Sequence, residues 1–450
     1  MILEGRERMG GTWDLFRYPG IRSDSDMFTL GYAFKPWTNP KSIADGPDIL
    51  SYIKETAAEY DVERAVHYNQ RVVSANWDSG EAMWTVDVTN GASGEMRQVK
   101  CNFLYSCTGY YSYDNPYTPE FEGTQDFGGE LFHAQHWPEG LDYRDKKVVV
   151  VGSGATAVTV VPEVAQEAAQ TIMLQRSPTY MGSVPEKDEM AIKLRKWLPE
   201  SWVYHLTRWK KVLLQMLLFN LSRSRPQMMN RVLIGRVREE LGEDYDVKTH
   251  FTPRYNVWDE RLCAVPDGDM FAAIREKRVE VVTDHIDRFT PGGILLKSGR
   301  ELDADIVVLA TGLNLLFLGG IELSVDGEAV TPGEHYVYRG MMLSGVPNLA
   351  QAFGYTNSSW TLKADLTAEY VCRLLNHMRK AGKRSATPVV GAEGVEEEPM
   401  LDFTSGYVQR SVDTFPKQGA NRPWRVYQNY FKDLVSLRYS SLKDDALKLN

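Results

Sequence analysis

The stretch DKKVVVVGSGATAVTVVPEVAQEA, which begins at Asp145, restricts the fold more than any other part of the chain. Four consecutive valines, Val148 to Val151, leave no polar face. Such a run belongs to a parallel strand covered on both sides, and a helical pattern follows it after a single turn. The turn, Gly152-Ser153-Gly154-Ala155-Thr156-Ala157, fits G-x-G-x-x-A. In that pattern the first glycine permits a tight turn, the second lets backbone approach a pyrophosphate, and the small last residue lets helix and strand pack closely. The free N–H groups at the helix N-terminus then face the phosphates. The expectation is a dinucleotide site spanning Val151 to Ala157. The next apolar run, TIMLQRS, completes a βαβ unit and ends at Arg176 and Ser177. An acid there would hold a ribose 2′-hydroxyl; a cation beside a serine suits a 2′-phosphate, which points to NADP. An ordinary surface arginine would look the same in sequence.

The strand patterns recur. HYNQRVVSANW, MWTVDVTN and MRQVKCNFLYSCTGYY run in the same order as VEVVTDHIDRFTPGGILLKSGREL and ADIVVLATGLN. Both blocks end in a buried strand and a Thr-Gly pair, Thr108-Gly109 and Thr311-Gly312. A repeat at the scale of a whole domain implies two related dinucleotide-binding domains. The chain opens MILEGRERMGGTW, where Ile2-Leu3-Glu4 has the shape of a second strand ending in a ribose-binding acid. The repeat therefore leads us to expect a strand, a glycine loop and a helix ahead of Met1, about 30 residues by the size of a βαβ unit. The fold class expected is α/β: two Rossmann-like domains with a helical insertion, the first strand and helix of the first domain being absent. The expected boundaries are 1–140 for the first part of one domain, 141–312 for the second domain with its insertion at about 187–240, and 313–450 for the return to the first domain and a tail.

Composition excludes several classes. The 450 residues carry a net charge of −9, against a nucleic-acid partner. Four cysteines, Cys101, Cys107, Cys263 and Cys372, make neither a disulfide framework nor a zinc motif, so a reducing cytoplasm and no metal site are expected. Cys107 reads as a core residue. No signal peptide is present and no apolar run spans a bilayer. The nearest, Val212 to Leu221, is flanked by Arg208, Lys210, Lys211, Arg223 and Arg225. It reads as a buried helix with solvated ends, or alternatively as a helix lying on a membrane surface. Ser358 or Ser359 is placed to cap a helix from Trp360 to Met378. Oligomeric state is left open.

FGGELFHAQHWP, from Phe127 to Pro138, fits F-x-G-x-x-x-H-x-x-x-W-P, with Phe127, Gly129, His133 and Trp137 in place. With GGTWDLFRYPGIRSDSD, from Gly10 to Asp26, it resembles the type I Baeyer–Villiger monooxygenases, a branch of the flavin-containing monooxygenases. That resemblance implies FAD in one domain and NADPH in the other. NADPH reduces the flavin, O2 adds to it as a C4a-peroxyflavin, and one oxygen passes to a ketone, giving an ester, or to the sulfur of a thioamide or thioether. It implies Arg261 as the cation beside the peroxide and Asp24 as the acid that orients that arginine and touches both cofactors. Implied FAD contacts are Glu4 on ribose, Thr12, Trp13, Asp14 and Leu15 along the turn, Asp24, and backbone at Val72. Implied NADP contacts are Arg22, Ser23 and Asp24, the run Val151, Gly152, Ser153, Gly154, Ala155, Thr156 and Ala157, and Arg176 with Ser177. The fingerprint is expected at the domain junction, with His133 and Trp137 in hinge or packing roles rather than proton transfer. The family's N-terminal G-x-G-x-x-G flavin loop does not occur in this sequence. Two other readings compete: a flavin disulfide reductase, set aside because no cysteine lies in the first 100 residues, and an inactive, FAD-deficient fragment that binds NADP alone.

Overall fold

A computed structural model describes residues 1–260, 262–392, 394–401 and 405–450. The four-valine run forms the strand Lys147–Val151, central in a five-stranded parallel sheet. The strand order is Val279–Thr283, Gln170–Gln175, Lys147–Val151, Ile306–Leu309, Glu130–His133. Val148 to Val151 are at most 8% exposed, as a strand covered on both faces requires. On one side lie Ala157, Val158, Val160, Val161 and Val164 of the helix Ala155–Val164. On the other lie Phe289, Ile294, Leu296 and Leu302, from a three-stranded antiparallel layer of Ile286–Thr290, Gly293–Leu296 and Glu301–Asp303. Glu130–His133 precedes the expected boundary at 140 in sequence yet is an edge strand of this sheet.

The echo read in the sequence has a structural counterpart. Val66–His67 is followed by the antiparallel strands Gln70–Asp78, Met83–Asn90 and Met96–Cys101, then by the parallel strand Leu104–Ser106 and Thr108-Gly109. Val279–Thr283 is followed in the same way by three antiparallel strands, by Ile306–Leu309 and by Thr311-Gly312. In this first unit, Ile2–Leu3 pairs in parallel with Val66–His67, and Leu104–Ser106 pairs in parallel with Leu349–Gln351. Residues past 320 rejoin it: Glu322–Val325 lies parallel to Gln70–Asp78 and extends its antiparallel layer.

The insertion is helical, with Glu189–Leu194, Glu200–Ser224 and Pro226–Leu241. The helix Trp360–Ala381 starts where expected, with Ser359 at its N-cap position, but neither serine caps it through its side chain. The Ser359 hydroxyl bonds that of Thr29 at 2.6 Å, and the Ser358 hydroxyl donates to Gln215 Oε1 at 2.6 Å. Tertiary partners outcompete the local cap. Cys107, expected in the core, is exposed, and none of the four cysteines forms a disulfide.

Candidate functional site

The two Thr-Gly turns and the Gly152 turn all lie at carboxyl ends of parallel strands, where open α/β sheets bind ligands. Gly152 has φ +145°, and a Cβ there would stand 2.3 Å from the Ala310 carbonyl oxygen, so only glycine fits. Gly154 is different: a Cβ built on it meets nothing within 4 Å. The turn is thus closed on the sheet side and open on the outer side. The helix Ala155–Val164 begins at Gly154 with no side-chain cap, leaving its first N–H groups to face that space. Ala157 is fully buried, as close helix–strand packing demands. These features fit a pyrophosphate. The Ser153 hydroxyl donates to the Ser177 carbonyl at 3.1 Å and ties the turn to the end of the neighbouring strand. Arg176 is exposed there, close enough to Glu260 to draw its carboxyl down against the burial that raises it.

The loop from Gly10 to Asp26 reaches this turn. A Cβ on Gly20 would stand 2.3 Å from the Glu163 side chain and 3.1 Å from the Thr159 carbonyl oxygen, so this loop sits directly on the helix Ala155–Val164. The Tyr18 hydroxyl lies beside Thr156, inside the glycine-loop helix, close enough for that side chain to lower its pKa. Burial raises that phenol to about 12, while Asp24 and Tyr111 push it up and Arg22 draws it down. Tyr18, next to the helix that opens at Gly154, thus stands within electrostatic reach of Asp24, of Arg22 and of Tyr111 in the segment after Thr108-Gly109. Sequence reasoning misses Tyr18 and Gly20; a tyrosine beside a Pro-Gly turn is the signal that marks them.

Glu4 is half-buried at the end of Ile2–Leu3, its carboxylate accepting from the Arg6 N–H at 2.9 Å. Its carbonyl accepts from the Gln70 N–H at 2.8 Å, so Glu4 and the strand holding Val72 adjoin. Thr12, Trp13, Asp14 and Leu15 form one short helical turn. Thr12 lies 3.4 Å from the Tyr113 hydroxyl. Asp14 is buried and occupied by Arg6 at 2.7 Å, with Arg8 and Arg17 at 3.7 Å, so its carboxylate is already neutralised. Ser23 is buried with its hydroxyl accepting from the Ala44 N–H at 3.1 Å. Arg22 is ion-paired with Asp269, while its Nη2 is buried with no partner. Arg261 lies outside the described residues.

Each fingerprint position has a physical reason. A Cβ on Gly129 would stand 2.2 Å from the Asp305 carbonyl oxygen. Phe127 packs edge-on against Phe289, with centroids 5.8 Å apart, and Trp137 packs edge-on against Phe132 at 5.1 Å. His133 is buried. Its Nδ1 accepts from the Gln135 N–H at 3.1 Å, so Nε2 carries the proton and donates to the Gly312 carbonyl at 3.1 Å. Burial pushes its pKa down to about 4, which keeps the ring neutral. The Gln135 side-chain amide donates to the Ser112 and Tyr113 carbonyls at 3.0 and 2.7 Å. The segment thus staples both units, His133 at one Thr-Gly turn and Gln135 just beyond the other. Gln135 occupies an unspecified position of the pattern, and no sequence signal marked it.

The sequence profile of the flavin-binding monooxygenase-like family matches residues 38–319. The chain belongs to that family. Within it, this member is 52% identical over 448 residues to the FAD-containing monooxygenase EthA of Mycobacterium tuberculosis strain H37Rv, covering 99% of this chain and 91% of the relative. It is 49% identical over 451 residues to the putative FAD-containing monooxygenase MymA of the same strain, with 99% and 91% covered. Its fold matches the structure of an oxidised steroid monooxygenase bound to NADP, with a TM-score of 0.74 at 20% identity over 99% of this chain and 94% of that one. The two-unit fold is thus shared with that solved structure.

Proposed function

We propose that this family member is an FAD- and NADPH-dependent monooxygenase. It passes one oxygen atom of O2 to a small-molecule ketone, giving an ester, or to the sulfur of a thioamide or thioether. NADPH and a proton supply the two electrons and the hydrogen with which the second oxygen leaves as water. The observation that carries this reading is the docking of the Gly10–Asp26 loop on the Ala155–Val164 helix through Gly20 and the Tyr18–Thr156 contact. It brings the loop that resembles a flavin loop against a dinucleotide turn.

Bound flavin supplies oxygen activation; the chain supplies position and charge. Gly152 to Thr156 would hold the NADPH pyrophosphate, with Arg176 and Ser177 at the 2′-phosphate. Glu4 would hold the flavin ribose, with Thr12 to Leu15 and the backbone at Val72 alongside. Asp24 would touch both nucleotides, and Arg261 would provide the cation for developing negative charge. His133, neutral and with both ring nitrogens committed to main-chain partners, fits a positioning role rather than proton transfer. In this reading FAD would be held by the first and last parts of the chain and NADPH by the middle one, whose sheet takes in Glu130–His133 ahead of the expected boundary at 140.

The test is the visible spectrum of the purified chain, followed by oxygen-dependent NADPH oxidation with a methyl sulfide and with a cyclic ketone. Flavin absorption and sulfoxide or ester product are expected. A colourless protein that still binds NADP would replace this reading with the FAD-deficient one. Arg261→Ala is expected to abolish product while leaving nucleotide binding intact; turnover at the original rate would remove Arg261 from the catalytic role.

A further inference from the structure

The helix Glu200–Ser224 is built inside out. Its inner face buries Tyr204, Thr207 and Arg208 along with Val203 and Val212. Its outer face presents Trp202, Leu206, Trp209, Leu213 and Leu217, spaced by three and four residues on one side of the helix. Trp202 is 64% exposed, Leu213 53% and Leu217 62%. By helix rise this row is roughly 22 Å long. It does not stop at the helix. Trp209 stacks on Phe431 with centroids 5.8 Å apart, and Val435 and Tyr439, 55% and 71% exposed, continue the line along the segment Tyr430–Tyr439. Trp197, just before the helix, is 84% exposed. Soluble surfaces rarely leave so many large apolar side chains in one contiguous strip.

The charge around the strip is equally distinctive. Residues 187–240 contain twelve Lys and Arg against five Asp and Glu, a net +7 in a chain whose net charge is −9. Lys196, Arg225 and Arg231 are exposed at the two ends of the strip. An apolar strip carrying tryptophans and bordered by cations is the pattern of a helix lying in a lipid headgroup region. Two copies of the chain meeting through this face would bring the same cations against each other, which disfavours self-association. Among the described residues no helix is long and apolar enough to cross a membrane, so the contact is one of lying on the bilayer and not of spanning it.

We infer that the face formed by Trp202, Leu206, Trp209, Leu213 and Leu217, with Phe431 to Tyr439, docks on the surface of a bilayer containing anionic phospholipid. The outer leucines sink into the boundary between headgroups and acyl chains, the tryptophans sit at headgroup level, and the flanking cations meet lipid phosphates. This inference does not depend on the chemistry of the nucleotide site.

The experiment is vesicle flotation of the full chain, with bromine-labelled lipids quenching tryptophan emission. The chain is expected to float with vesicles containing phosphatidylglycerol and to remain in solution with phosphatidylcholine alone. Flotation should fall several-fold at 0.5 M salt (roughly the range in which screening becomes short). Bromolipids should quench emission. The double variant Leu213→Glu/Leu217→Glu should lose at least about ten-fold of the partitioning while keeping the thermal melt of the parent. Failure of the parent chain to float with anionic vesicles would overturn the inference. So would flotation without bromolipid quenching, which would place the contact elsewhere, or a parent dimer in light scattering that the double variant converts to monomer, which would give the face to a second copy. If the double variant does not fold, flotation and quenching of the parent decide alone.

Discussion

The strand–turn–helix from Lys147 to Val164 and the insertion helix from Glu200 to Ser224 treat the same side-chain types in opposite ways. In the first, valines are inside, and the groups facing outward are backbone N–H and an exposed Gly154. In the second, Arg208 is inside and leucines are outside. The difference follows from what each element covers. Lys147–Val151 has apolar layers on both faces. The insertion helix instead covers the carbonyl end of the short helix Met27–Leu30, whose free C=O groups need donors. Arg208 Nη1 donates to the Phe28 and Gly31 carbonyls at 2.8 Å each, and Nη2 lies 3.3 Å from Asp365. Gln215 reaches Asp26 at 3.0 Å on the same face. A helix that must cap polar backbone turns its polar side inward.

The comparison can be broken most forcefully at the turn. Gly152→Ala places a methyl group against the Ala310 carbonyl in a conformation alanine avoids; we expect a loss of more than about 3 kcal/mol in denaturant unfolding. Gly154→Ala, which meets open space, should leave unfolding unchanged and weaken NADPH binding in a titration. Equal destabilisation by both would show that the outer side of the turn is not open.

Arg208→Ala comes next. Removing a buried guanidinium takes the cation from Asp365 and a donor from the Phe28 and Gly31 carbonyls, and a cost of roughly 3 kcal/mol is expected in the same assay. A cost under 1 kcal/mol (about the value of an exposed ion pair) would mean that water replaces the side chain.

A smaller effect is set by pH. The His133 pKa is held near 4 in the folded chain against an ordinary value of 6.5, so the unfolded chain takes up the proton first as pH falls. Stability should therefore decline as pH drops from 6.5 towards 4, by on the order of 2 kcal/mol from this group, and recover as pH rises again. His133→Asn should remove that part of the decline. An unchanged pH slope in the variant would show that His133 does not carry it.

The smallest effect belongs to the outer face. Leu217→Ser removes an apolar side chain from a helix and should change stability by less than about 0.5 kcal/mol, because the leucine is already in water. A large cost would mean that the side chain is covered after all.

Much of the molecule was legible in the chain. The parallel strand, its glycine turn and the following helix could be read because periodicity and steric need are local. The repeat ending at Thr108-Gly109 and Thr311-Gly312 could be read because related domains keep their strand order. The fingerprint positions Phe127, Gly129, His133 and Trp137 were visible as a pattern, though what each does was not: the clash awaiting a side chain at Gly129 comes from Asp305. Val212–Leu221 illustrates the limit. Its sequence allows a buried helix with solvated ends or a helix lying on a membrane surface; the structure departs from the first, burying Val212 but turning Leu213, Leu214, Leu217 and Leu218 outward.

Local periodicity, glycine sterics and residues in fixed order were enough to place the strand, the glycine turn and the helix from Lys147 to Val164 and to point to the family. Folding alone sets Tyr18 beside Thr156, His133 on the Gly312 carbonyl and Gln135 on the Ser112 and Tyr113 carbonyls, and turns the leucines of the long insertion helix outward. Each of those outcomes depends on a carbonyl, hydroxyl or charge supplied from a distant part of the chain, and no local pattern records the identity of such a partner.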